Sequence, residues 1–372
     1  MKKVLVPKVR FKGFSEEWKE EKLEYIAKVT NGKSNTSDNN KWGQYNLYIR
    51  SEEIYKSNKY IFDVEGVITV GDGNIGKIFH YVNGKFDLHQ RCYLIYEFQN
   101  IWPKYFYYYF SQNFYKRAIL MSYTATVNSI RMNTITDMDI MFPKELIEQQ
   151  KIGKLLENID NLINLENSKL NKLKQLKETL LQKIFPEGNS KTPRIRFKGF
   201  EGEWKEEKLE YIAKVTNGKS NTSDNNKWGQ YNLYIRSEEI YKSNKYIFDV
   251  EGVITVGDGN IGKIFHYVNG KFDLHQRCYL IYEFQNIWPK YFYYYFSQNF
   301  YKRAILMSYT ATVNSIRMNT ITDMDIMFPK ELIEQQKIGD FFSNIDTLIN
   351  LYNSKLNKLK QIKEALLQKL LI

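Results

Sequence analysis

The chain contains one long stretch twice. Phe11-Lys12-Gly13-Phe14 returns as Phe197-Lys198-Gly199-Phe200, and every residue from Glu17 to Gly153 recurs one for one from Glu203 to Gly339, an offset of 186. Solenoid units repeat every 20–50 residues or so, so this period is a whole domain plus a connector. Whatever one copy folds into, the other must fold into as well. The copies part only at their edges, where Ser15-Glu16 faces Glu201-Gly202 and, after Gly153, Lys154 faces Asp340, Leu155 faces Phe341 and Glu166 faces Tyr352. At 372 residues the chain holds at least two folded units.

Composition narrows the class. Hydrophobic residues are 43% and charged residues 26% of the chain, a balance that suits packed globular domains rather than disorder. Lys and Arg number 54 against 42 Asp and Glu, a net +12 that favours a polyanionic partner. No apolar run approaches the roughly 18 residues of a membrane span, and the opening Met1-Lys2-Lys3 lacks the apolar stretch of a signal peptide. Two cysteines, Cys92 and its copy Cys278, cannot build a disulfide scaffold, so a cytoplasmic location is expected.

Each copy divides in two. From about Arg10 to Phe142 the pattern is mixed α and β. Asn83-Gly84, between Lys77–Val82 and Lys85–Leu88, predicts a hairpin turn. Cys92–Tyr96 reads as a buried strand, and Pro103 opens a helix. Phe106, Phe110 and Phe114 recur at helical spacing, so the ring-rich run Tyr105–Phe110 is read as core rather than as a base-stacking platform. After Pro143 the pattern changes to one long amphipathic helix. Ile152, Leu156, Ile159, Ile163, Glu166, Leu170, Leu173, Lys177, Leu180 and Ile184 alternate steps of four and three, a coiled-coil seam that the second copy repeats with Tyr352 in place of Glu166. Each helix would be roughly 60 Å long.

The connector fixes their direction. Pro186, Gly188 and Pro193 mark residues 186–196 as a linker, which reaches at most about 35 Å. Parallel helices would place the end of the first roughly 60 Å from the start of the second. Antiparallel pairing brings those points together, and the chain ends with them. The expectation is α+β: two mixed α/β domains separated by a long antiparallel two-helix coiled coil, with pseudo-two-fold symmetry. The divisions are residues 1–143, helix 144–185, linker 186–196, residues 197–329 and helix 330–372. Two equal readers about a dyad match the symmetry of duplex DNA.

A specific resemblance rests on these parts. Pro143 leads to Glu148-Gln149, then Ile152-Gly153, Asp160 and a Lys/Leu-rich run to Phe185. The order recurs at Pro329, Glu334-Gln335, Ile338-Gly339 and Asp346. With the openings Arg10–Phe14…Trp18 and Arg196–Phe200…Trp204, and with Gly71-Asp72-Gly73-Asn74-Ile75-Gly76, the chain resembles the specificity subunit of Type I restriction–modification systems along essentially its whole length. The resemblance implies two target recognition domains in a non-catalytic subunit that reads a split site in double-stranded DNA. It implies two methyltransferase subunits that methylate adenine, and restriction subunits that make the assembly an ATP-dependent endonuclease. S-adenosylmethionine, ATP and Mg belong on those partners, and no cofactor is expected here. Family members typically pair two different recognition domains, so identical ones are expected to read an inverted repeat. A stand-alone dyad-symmetric DNA-binding regulator is the alternative.

No chemistry of its own stands out. The Asn-Pro-Pro-aromatic tetrapeptide of adenine methyltransferases and the Gly-x-x-x-x-Gly-Lys-Ser/Thr loop for ATP are both missing. His80, His89 and Cys92 have irregular spacing for zinc. Asp63, Glu65 and Asp72 are read as solvated turns rather than a nuclease centre. Each long helix carries two more lysines than acids, so most of the positive excess lies on the globular parts and linkers. Base edges need Arg, Lys, Asn, Gln, Ser or Thr on loops. The candidates are Lys33, Lys41, Arg50, Ser51, Asn74, His89, Gln90, Arg91, Thr126, Asn128 and Arg131. Their copies are Lys219, Lys227, Arg236, Ser237, Asn260, His275, Gln276, Arg277, Thr312, Asn314 and Arg317. Arg91 and Arg131 lead, because a guanidinium can pair bidentately with guanine or grip phosphate.

Overall fold

The computed structural model describes residues 5–124, 128–188, 190–308 and 314–371. Thr126 and Thr312 lie outside the described residues. The chain forms two compact units, one of Met1–Asn167 with Lys355–Ile372 and one of Ser168–Ser354. Each unit therefore holds one globular domain, the start of that domain's long helix, and the last stretch of the other copy's helix.

In the first unit the strands are β1 (Lys19–Lys22), β2 (Lys28–Asn31), β3 (Tyr45–Tyr48), β4 (Ile54–Ser57), β5 (Phe62–Val70), β6 (Phe79–Leu88), β7 (Cys92–Tyr96), β8 (Tyr123–Thr124), β9 (Asn128–Ser129) and β10 (Asp139–Phe142). The helices are α1 (Leu23–Ile26), α2 (Pro103–Leu120), α3 (Met132–Thr136) and α4 (Leu146–Ile184). The second copy gives α5 (Leu209–Ile212), α6 (Pro289–Leu306), α7 (Met318–Thr322) and α8 (Leu332–Leu370), with a sheet of the same order.

The main sheet runs β2-β7-β5-β6-β3-β4, antiparallel except where β3 meets β6. Its strands alternate between two cores. Val67 and Ile95 face a core built on α2, while Ile68, Leu94 and Cys92 join Val82, Phe86 and Leu88 on the other face. Pro103 opens α2 at the position where its missing N–H costs nothing. Phe106, Phe110 and Phe114 are fully buried and stack in turn at 5.2 and 4.4 Å, so the ring run is core.

Asn83-Gly84 does not turn the chain. β6 runs straight through it, with Asn83 opposite Glu65 and Gly84, at φ +103°, opposite Val64. A turn there would fold Phe79–Val82 onto Lys85–Leu88 and strip the first half of β5 of its ladder partners, whose N–H and C=O groups would then need others. The hairpin joins β5 to β6 instead, through Gly71–Ile78. The same correction holds at Asn269-Gly270.

The long helices run antiparallel within each unit. In the first, Asp160 meets Lys363 at 2.5 Å and Glu166 meets Lys355 at 3.0 Å, so residue numbers rise along one helix as they fall along the other. Leu370 and Leu371 close over Ile152 and Leu156. In the second unit Lys177 meets Asp346 at 2.5 Å, and Ile184 and Phe185 pack with Phe342 and Ile345. Glu166, the weak point of the seam, is buried against Lys355, whereas its copy Tyr352 is half-buried.

The linker is folded onto a helix end. Ile195 donates from its backbone N–H to Lys183, and Val9 donates likewise to Lys369. The segment before each domain thus docks in the same way on the end of the other copy's helix, which brings the two ends of the described chain close together.

The Glu-Gln pair couples each domain to its helix. Arg10 grips Glu148 bidentately at 2.7 and 2.8 Å, with the glutamate 1% exposed. Gln149 accepts from the Trp102 N–H at 2.6 Å and donates to the Pro143 carbonyl at 2.7 Å. Gly153 has no room for a side chain, since a Cβ would stand 2.4 Å from the Trp102 ring.

Candidate nucleic-acid interface

The candidate loops, scattered from Lys33 to Arg131 in sequence, are tied together through the segment that links β6 to β7 and through Asp72. Gly32 makes this possible. A Cβ there would lie 2.2 Å from the Leu88 carbonyl oxygen, so only glycine lets the chain after β2 press on the end of β6. Lys33 and Ser34 then donate backbone N–H bonds to Leu88 at 3.0 Å, and Gln90 donates to Ser34 at 2.8 Å. The Gln90 side chain donates to Asn35 Oδ1 at 2.6 Å. Beneath them Asp87, fully buried, accepts from Ser34, Ser57 and the Leu88 N–H at 2.6–2.9 Å. A buried carboxylate without such donors would be strongly unfavourable, and these fix three segments to one point.

Asp72 ties in the rest. Arg50 donates Nη1 to its Oδ1 at 3.0 Å, and Arg91 donates Nη1 to its Oδ2 at 3.0 Å. The Asp72 side chain is 7% exposed, against 44% and 62% for the arginines. Gly73 and Ile130 add backbone bonds at 2.8 Å to Asn128 and 2.9 Å to Gly71, which dock β9. The reading of Asp72 as a solvated turn is therefore corrected: the carboxylate is buried and organises the site. Asp63 and Glu65 belong to β5, where Glu65 accepts from the Tyr81 hydroxyl.

An ion pair on a surface contributes little stability by itself. Its effect here is geometric. Each guanidinium is held by one nitrogen and directs the others outward, and the trio keeps a net positive charge. The second copy repeats the trio with Arg236, Asp258 and Arg277 at 2.9–3.0 Å. Shallow clefts flank the aspartate, one lined by Arg236, Ser237, Asp258 and Asn260, another in the first copy by Asn31, Asp72, Gln90 and Arg91.

The other candidates take distinct places. Lys33, Lys41, Asn74, Gln90, Asn128 and Arg131 are exposed, as are Lys219, Lys227, Asn260, Gln276, Asn314 and Arg317. Ser51 and Ser237 are half-buried, and their carbonyl oxygens bond the rings of His80 and His266. His89 and His275 are 4% exposed, and each Nδ1 accepts from the following arginine's N–H. Burial and then the Arg50 charge push the His89 pKa down, so the ring is neutral at pH 7 and shapes the loop from inside. Burial also pushes the Cys92 thiol up to about 12, so the thiol stays protonated at pH 7. Among the described residues no three His, Cys, Asp or Glu side chains are grouped as metal ligands would be. No helix among them is long and apolar enough to cross a membrane.

Sequence reasoning missed Asp72 and Trp42. The signal for the first was an acid between two glycines in a chain rich in candidate arginines. The second, 86% exposed, stands in a polar stretch with no apolar periodicity.

Comparison with known proteins adds a family. The model for the Type I restriction modification DNA specificity domain matches residues 15–175 and again 201–361. The Type I restriction enzyme EcoDI specificity subunit of Escherichia coli is 31% identical over 166 residues, which are 44% of this chain and 35% of that protein. The chain thus aligns with about a third of that relative's length. Among solved structures, the S subunit of a Type I restriction–modification system from M. genitalium superposes with a TM-score of 0.77 at 14% identity, covering 99% of both chains. A structure from work on complex assembly and conformational transition of the type I R-M system gives 0.53 at 14% identity, covering 95% of this chain and 97% of that one. At such identities the likeness is one of fold.

Proposed function

The chain belongs to the Type I restriction modification DNA specificity family, with that domain present twice, and from that premise we propose that it is the non-catalytic DNA-reading subunit of a methyltransferase and endonuclease assembly. One observation carries the reading: the candidate loops of each copy converge on a buried aspartate that holds two exposed arginines in fixed directions. A guanidinium so held presents its remaining N–H groups to guanine O6 and N7 in the major groove, or to phosphate. Lys33, Asn74, Gln90 and Asn128 surround the pair as further donors and acceptors. Phosphate contacts by the lysines supply a sequence-independent, salt-dependent affinity, and the arginines supply discrimination.

The division into reader, helix, linker, reader and helix at residues 1–143, 144–185, 186–196, 197–329 and 330–372 underlies this function. Each reader takes one half of a split target, and the paired helices set the gap. Because both readers carry the same residues, the two halves are the same sequence on opposite strands. Two methyltransferase subunits, which bring S-adenosylmethionine, act on adenines within those halves. Extruding the base is their task and requires no catalytic group here. Restriction subunits bring ATP and Mg.

Reconstitution separates this reading from a stand-alone regulator. The tagged chain, co-expressed with the methyltransferase of its own system, is expected to purify with two methyltransferase chains and to direct adenine methylation that neither component performs alone. A chain that binds a specific duplex tightly but recruits no methyltransferase would be a regulator.

A further inference from the structure

Among the described residues, the most exposed aromatic side chain of each copy lies outside the arginine node. Trp42 and its copy Trp228 are each 86% exposed, whereas Trp18 and Trp204 are 2% exposed and buried in the domain cores. The exposure does not come from a slack loop. Asn40 accepts the Trp42 N–H on its side chain at 3.0 Å, and its own N–H donates to Lys56 in β4 at 2.8 Å. Gly43 donates back to Asn40 at 2.8 Å, and a Cβ at Gly43 would stand 2.5 Å from the Ser57 backbone. The turn is thus pressed onto β4, and the indole stands out from it into solvent.

The surroundings indicate the ligand. Lys41 Nζ stands 5.6 Å from the centre of the Trp42 ring, and Lys227 stands 5.7 Å from that of Trp228. The same segment begins at Lys33 and is bonded through Asn35 to Gln90, beside Arg91. A flat ring with a cation beside it, on a segment tied to a basic loop, suits a sugar flanked by phosphate. An apolar protein surface would have to desolvate the lysine.

We propose that Trp42 and Trp228 are DNA-contacting rings that pack on the sugar-phosphate backbone of the bound duplex beside the stretch read by the arginine node. The contact rests on the DNA-reading function above and adds to it. A ring packed on the backbone tolerates any sequence, because every nucleotide presents the same sugar and phosphate. The rings therefore contribute affinity and register, while sequence choice stays with the arginines.

The test uses the full chain and a pool of random-sequence duplexes at low salt, read by acrylamide quenching of tryptophan fluorescence and by binding titration. Duplex is expected to shield a quenchable tryptophan in the wild type. The shielding should vanish in Trp42→Phe/Trp228→Phe, which removes the emitting indoles but keeps rings. Trp42→Ala/Trp228→Ala should weaken binding about tenfold, the losses at the two separate rings adding, with Phe restoring most of it and the melting temperature unchanged. Normal binding by the alanine variant with no shielding in the wild type would overturn the tryptophan contact and leave the function standing. If the wild type bound no duplex, alone or with the methyltransferase, both would fall. Shielding produced by the methyltransferase and not by DNA would make the ring a protein contact and overturn the proposal.

Discussion

Arg91→Ala combined with Arg277→Ala is expected to lower affinity for the specific duplex by about 30-fold at the least. One well-formed bidentate contact discriminates by about 1–3 kcal/mol, and losses at two separate half-sites add, giving about 2–6 kcal/mol in all. The fold should survive, because Asp72 keeps Arg50 at 3.0 Å and Asp258 keeps Arg236 at 3.0 Å. Lysine at both positions separates the two roles of the guanidinium. It restores charge, and with it the salt-dependent binding to any duplex, but it cannot reproduce the fork that fits guanine. Titrations of specific and unrelated duplexes at one fixed salt concentration read the difference. Equal affinities for wild type and the alanine variant would remove the node from recognition.

Arg10→Ala should cause a large loss of stability from a change at the domain's edge rather than in its core. Glu148 is 1% exposed and the arginine side chain 13% exposed, so the change leaves a carboxylate in the protein without its counter-ion. Breaking a buried pair from one side costs about 3–5 kcal/mol, and some water access at Arg10 places this case near about 3. For a unit of this size that is roughly 6–12 °C in melting temperature. Arg10→Met with Glu148→Leu should recover most of the loss, since a pair replaced by apolar groups no longer strands a charge. Thermal melts of the three chains decide it. If the single and double variants melted alike, the pair would matter only through packing. The pair also joins the segment before the domain to the helix after it, so the single variant should loosen the docking of the chain's opening residues.

The long elements were legible because their causes are local. A four-and-three apolar repeat leaves a helix no alternative partner than a second helix, and a short linker between long rods leaves one direction. Phe106, Phe110 and Phe114 announced their core by spacing alone. Asn83-Gly84 misled because turn chemistry is a local preference, and here β5 offered a long ladder that outweighed it. The recognition node was legible only as a set of separate loops. What unites them is Asp72, Asp87 and the close approach at Gly32, contacts between residues up to tens of positions apart that no periodicity records. Trp42 was passed over for a related reason, since its exposure is set by how its turn sits on β4.

Two identical readers should address two identical half-sites. Sequencing that detects modified bases, applied to DNA from cells expressing this chain with its methyltransferase, tests it most directly. Methylated adenines are expected in a split motif whose two halves are inverted repeats of one another, separated by a constant gap. A split motif with two unrelated halves would contradict it.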